Sequence, residues 1–223
     1  MRERGVSLRG EVVVHGRPIV TRTDSLAFED LGSAAQRERR RRILDAATAL
    51  AAKGGFDQVQ MRAVAVRADV ALGTLYRYFP SKIHLLVSVL GQQFEQAAES
   101  VARRPVPGNT AADRVMLVLG RTTRMLQREP NLTEALTRAF VFADASAAHE
   151  IHVVGLHVSR MLLAAMRDPA DTSPAGEPTE EQRAITKVIG DVWFASLVQW
   201  VTGRASAADV ATSLDVAVRL LLR

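Results

Sequence analysis

At 223 residues the chain can bury one large core or two small ones, and its lack of cysteine excludes disulfides and thiolate metal sites. No run of about 18 apolar residues is present to span a bilayer. The net charge of +5 is uneven, with 15 Lys+Arg against 9 Asp+Glu in residues 1–82 and 14 against 15 in residues 83–223, so a polyanion partner is expected for the N-terminal part.

Residues 1–32 lack a sustained period and contain Gly5, Gly10, Gly16, Pro18 and Gly32. They read as a disordered tail, with Val12–Val14 the one short strand signal. Arg2 and Arg4 are not followed by an apolar core, so no secretory signal is expected and the cytoplasm is the expected compartment. From Ser33 a helical period begins. Ile43, Ala47, Leu50 and Ala51 share one face as far as Lys53, and Gly54-Gly55 ends the helix. Arg37 and Arg39–Arg42 on it read equally as a phosphate-facing stripe or a solvated face. Gln60 precedes a short helix with Met61, Val64, Ala65 and Ala68 inward, and Asp69-Val70 makes a turn. Leu72–Tyr78 is a second short helix, stopped by Pro80. Ser81 caps a long helix to about Arg104, and residues 105–109 break the chain. Further helices are expected near 110–128, 131–143, 146–167, 179–203 and 206–222, with Asn131, Ser146, Thr179 and Ser206 as N-caps and a loop at 168–178. The fold class is all-α.

Two short helices joined by a tight turn present the second helix to a DNA major groove. Ala71, Leu72 and Gly73 are small or flat enough for close approach, and Leu72 can touch a thymine methyl. Thr74, Tyr76, Tyr78 and Lys82 supply phosphate donors, and the N-terminus of the helix at Ser81 adds a positive dipole end. Arg42, Gln60, Met61 and Arg62 flank the same surface. Tyr76 and Tyr78 lie about 200° apart round a helix and cannot share a face. Tyr76 is the one expected towards DNA, and Tyr78 towards backbone or packing.

The run Val70-Ala-Leu-Gly-Thr-Leu-Tyr-Arg-Tyr-Phe-Pro-Ser-Lys82 resembles the DNA-binding signature of the TetR family of bacterial repressors. Two positions depart from it. Asp69 stands where the family often has Gly, and Ala71 stands where Ser or Thr commonly caps the recognition helix. The resemblance implies a DNA-binding domain at 33–82, a ligand-binding and dimerisation domain at 83–223, and a homodimer on palindromic double-stranded operator DNA. Segments such as LTEALTRAFVFADASAA and DVWFASLVQWVTGRASAADV are similar to members controlling steroid catabolism. They imply a steroid or steroid acyl-CoA effector; a fatty acyl-CoA or another hydrophobic ligand is the alternative.

Met116, Met125, Leu136, Phe140, Met161 and Trp193 are candidates to line an apolar pocket. Arg121, Arg124 and Arg128 form one stripe that would meet effector phosphates, with Arg138 on the next helix. Leu197, Trp200, Val201, Leu214 and Val218 on the last two helices are candidates for the dimer face. His149 and His152 are i, i+3 and could share a face, but His157 is off register and cysteine is absent, so no metal site is expected. Neither a nucleophile elbow nor a phosphate-binding glycine loop is present. No cofactor, no membrane association and no enzymatic activity are expected.

Overall fold

The structure is a computed structural model that describes residues 22–171, 173 and 176–223. The chain forms two units, residues 1–38 and 39–223. The described part of the first unit is helical from residue 22. Helix α1 (Arg22–Gln58) thus starts inside the segment expected to be a tail. Residues 23–31 hold neither Gly nor Pro, and a lone Gly32 costs about 1 kcal/mol without ending a helix. Residues 1–21, with the short strand expected at Val12–Val14, lie outside the described residues.

Helical geometry breaks at Gly54 and Gly55, where the sequence places the helix end. Gly55 has φ 71°, and a Cβ there would stand 2.8 Å from Glu134 Oε2. Helices α2 (Met61–Arg67) and α3 (Leu72–Tyr78) follow. The turn between them places Asp69 at φ 53°, the left-handed conformation that favours glycine and that Asp tolerates. Ile43, Ala47, Val64, Leu75 and Phe79 are buried within the head.

Helix α4 (Lys82–Arg103) is capped by Ser81, whose Oγ accepts from the Ile83 and His84 amides at 3.2 and 3.4 Å. It packs along α6 (Pro130–Val141) and α7 (Ala148–Met166). Helix α5 (Ala111–Arg128) lies against α7 and α9 (Ala207–Leu221), and α8 (Glu180–Val201) packs on α6, α7 and α9. No strand occurs among the described residues.

Thr179 with Gln182 and Ser206 with Asp209 form the capping boxes of α8 and α9, and Thr110 with Asp113 forms one on α5. Two caps differ from expectation. Pro130 takes the first position of α6, where its missing N–H costs nothing, so Glu129 is the cap. Asn131 instead donates to the Ala52 carbonyl at 3.3 Å. Asp144, not Ser146, caps a 3-10 turn over Ala145–Ala147 that leads into α7. The buried Arg114 donates to the carbonyls of Ala165, Met166 and Gly108 at 3.2, 2.9 and 3.1 Å. It thereby satisfies the C-terminal end of α7, where the helix dipole favours a cation.

Candidate DNA-reading head and effector cavity

Leu75 is the buried residue of α3. Gly73, Tyr76 and Arg77 are exposed, with Ala71 just ahead of them. A Cβ at Gly73 would meet nothing within 4 Å, so the helix has an open, flat surface there. Leu72 and Thr74 are half-buried beside it. Tyr76 points outward and Tyr78 packs against the core, its ring centroid 6.3 Å from that of Phe79. On α2, Arg62, Val66 and Arg67 are exposed, Gln60 is exposed ahead of them, and Met61 is half-buried against the core. Arg42 lies 3.7 Å from the Asp69 carboxylate, so the turn residue takes up part of its charge.

Lys82 departs from the role expected of it. Its ammonium donates to the Phe56 carbonyl at 3.0 Å and lies 3.8 Å from the Phe56 ring centroid. Burial, aided by the nearby Arg138, pulls its pKa below the ordinary lysine value against the pull of Asp57 and Glu134. Lys82 therefore closes a joint between the head and the C-terminal helices. Glu134 accepts from the Phe56 amide at 2.9 Å. The Arg138 guanidinium stands 4.5 Å from the Phe56 ring centroid and 3.4 Å from Asp57. Arg138 thus belongs to this joint and not to a phosphate-binding stripe. The buried His84 adds a further tie. Its Nε2 lies 3.1 Å from the Ser146 carbonyl, which can only accept, so Nε2 carries a proton.

An apolar cavity has a volume of about 450 Å³ and is walled by α4, α5, α6, α7 and α8. That lies within the size range of about 300–1,000 Å³ found for small-molecule sites. Leu136, Phe140 and Trp193 line it, together with Leu90, Phe94, Ile151 and Phe194. Trp193 is anchored by its indole N–H to Thr123 Oγ1 at 2.9 Å and by an edge contact to Phe94. The other expected lining residues lie elsewhere. Met161 is fully buried and receives the Thr122 hydroxyl on its sulfur at 3.8 Å. Met116 packs on the core outside the cavity. Arg121, Arg124 and Met125 occupy the outer face of α5, because Thr122, Thr123 and Leu126 claim the inner one. The cations at the cavity are instead Arg183, which donates to the Pro178 carbonyl, and Lys187, 2.6 Å from Asp191. His152, Ser159 and Thr186 add polar groups, the last two linked at 2.9 Å. Among the described residues no three His, Asp or Glu side chains gather as metal ligands.

The expected dimer face also divides. Leu197 lines the cavity, and Leu214 and Val218 are buried inside the subunit, since α9 spends its regular apolar stripe on α5 and α8. Trp200 and Val201 are half-buried. The large apolar side chains left exposed on α8 and α9 are Val188, Val216 and Leu220. No described helix is long and apolar enough to cross a membrane.

Residues 43–89 match the model for bacterial regulatory proteins of the tetR family, and residues 108–221 match that for a tetracyclin repressor-like C-terminal domain. The chain is 55% identical over 203 residues to the HTH-type transcriptional repressor KstR of Mycolicibacterium smegmatis, covering 91% of this chain and 96% of that one. It is 56% identical over 198 residues to the KstR of Rhodococcus jostii, covering 89% of each. A crystal structure of a TetR transcriptional regulator from Rhodococcus sp. RHA1 superposes with a TM-score of 0.75 at 34% identity, over 84% of this chain and 97% of that one. These two family matches and the similarity along almost the whole length establish that the chain belongs to the TetR family of bacterial regulatory proteins.

Proposed function

We propose that this protein is a homodimeric transcriptional repressor, acting in the cytoplasm, that leaves a palindromic operator when a steroid or steroid acyl-CoA fills its cavity. The observation that carries the reading is the apolar cavity of about 450 Å³, walled partly by the same helix, α6, that grips the head through Glu134 and Arg138. A rigid hydrocarbon fits a wall of aromatic and branched side chains, and Arg183 and Lys187 give an anionic substituent somewhere to end. Relatives about 55% identical that are named repressors, and the segments resembling steroid-catabolism regulators, support the same reading.

Binding can shift the protein between DNA-competent and released states only as far as the effector prefers one over the other. The test is footprinting on DNA upstream of the protein's own gene, with and without sterol thioesters and fatty acyl thioesters. A protected palindrome lost on adding the sterol thioester is expected. Release by fatty acyl thioesters alone would transfer the reading to a fatty-acid regulator, and no protected palindrome would overturn it.

A further inference from the structure

We infer that Arg77 reads a base edge at the floor of the major groove, between Thr74 and Tyr76 on the two phosphate walls. The inference rests on the DNA-binding reading above. Successive residues of an α-helix are about 100° apart. Taking the buried Leu75 as zero, Gly73 and Arg77 fall about 160° away on either side, pointing most directly from the core, while Thr74 and Tyr76 fall about 100° away. The centre of the outward face is therefore Gly73 and Arg77, and its flanks are Thr74 and Tyr76.

The two central positions work together. A helical side chain leans towards the N-terminus and covers the turn before its own Cα, which for Arg77 is the turn holding Gly73. Gly73 has no side chain, and nothing stands within 4 Å of where its Cβ would be. The guanidinium thus has room to lie along the helix surface into the groove. Its neighbours leave it free for this. Arg77 is exposed and is absent from every ion pair and side-chain hydrogen bond resolved among the described residues, whereas Arg42 faces Asp69 and Lys82 is held by Phe56. It is also the sole cation on α3. A planar guanidinium reads guanine through O6 and N7 together, which a phosphate-facing hydroxyl cannot do.

The test uses the full-length protein, its footprinted operator and fluorescence anisotropy over a salt series. Arg77→Ala and Arg77→Lys are compared with the parent on operators carrying 7-deazaguanine at each half-site guanine in turn. Arg77→Ala is expected to weaken binding about 5- to 150-fold and to become indifferent to one guanine that the parent requires. Arg77→Lys, which keeps charge but not the fork, is expected to lose most of that discrimination. Uniform weakening on every operator, with the salt slope reduced by about 0.9, would place Arg77 on a phosphate and overturn the inference. Unaltered binding by Arg77→Ala would overturn it as well. Failure of the parent itself to bind would instead sink the DNA-binding reading. Unchanged melting curves for both variants, expected for so exposed a side chain, separate loss of contact from loss of fold.

Discussion

Tyr76 and Tyr78 have the same side chain two positions apart and opposite environments, one exposed and one packed on the core. Replacing Tyr76 by Ala is expected to weaken operator binding with little change in urea midpoint. Replacing Tyr78 by Ala is expected to cost on the order of 1–3 kcal/mol of stability, read by urea unfolding. Ala71 begins α3 without a side-chain cap. Ala71→Ser restores an acceptor for the first turn and is expected to stabilise the protein by about 0.5–1 kcal/mol on the same measurement. Arg114 is the opposite case, a buried cation that satisfies three carbonyls. Arg114→Met keeps its bulk but strands those acceptors, with an expected loss on the order of 3 kcal/mol. The angular logic that separates the tyrosines was available from sequence, and applied to Arg77 it marks that residue as outward too. Lys82 was not legible in this way. Its engagement with Phe56 joins residues 26 positions apart, a distance no local pattern encodes.

Helix α6 has two faces with two tasks. Thr133, Leu136, Thr137 and Phe140 face the cavity, whereas Glu134 and Arg138 hold Phe56 and Asp57 of the head. A Glu134→Ala, Arg138→Ala double variant should leave the cavity wall intact. It is expected to bind effector normally, in a thermal shift titration, yet to release DNA incompletely at saturating effector. Full release by that variant would show that the joint does not carry the signal. Two of the caps contribute to the acid limb of stability. Hydrogen bonds from Thr110 and from Ser206 hold the carboxyls of Asp113 and Asp209 below the ordinary carboxylate range. A depressed folded-state pKa contributes stability that is complete above the unfolded value of about 3.9 and lost as pH falls through the lower folded value. Asp113→Asn with Asp209→Asn is therefore expected to flatten the loss of stability below about pH 4, measured by thermal melts across pH. The caps of α8 and α9, Thr179 and Ser206, were visible in sequence because a cap is a local contact. The α6 cap was misplaced because Pro130 competes with Asn131 for the helix start, and Asn131 is engaged with Ala52 instead.

Across the whole molecule, α8 and α9 leave Val188, Val216 and Leu220 exposed, the surface that a second copy would cover in the proposed homodimer. Leu220→Glu is expected to shift sedimentation from dimer to monomer and to weaken operator binding by removing simultaneous engagement of two half-sites. The sequence by itself determined the all-α class, the helix-turn-helix placement, most helix limits and the family, because periodicity, caps, Gly/Pro breaks and an ordered motif are local in the chain. It also located the basic excess with the reading head. Only the tertiary structure decided which apolar residues line the cavity, which ones bury themselves inside the subunit, and which cations remain available. Leu136, Leu197 and Leu214 are alike as residues on amphipathic helices. Their separation into wall, wall and core depends on which helices cross beside them, and those neighbours lie far away in sequence.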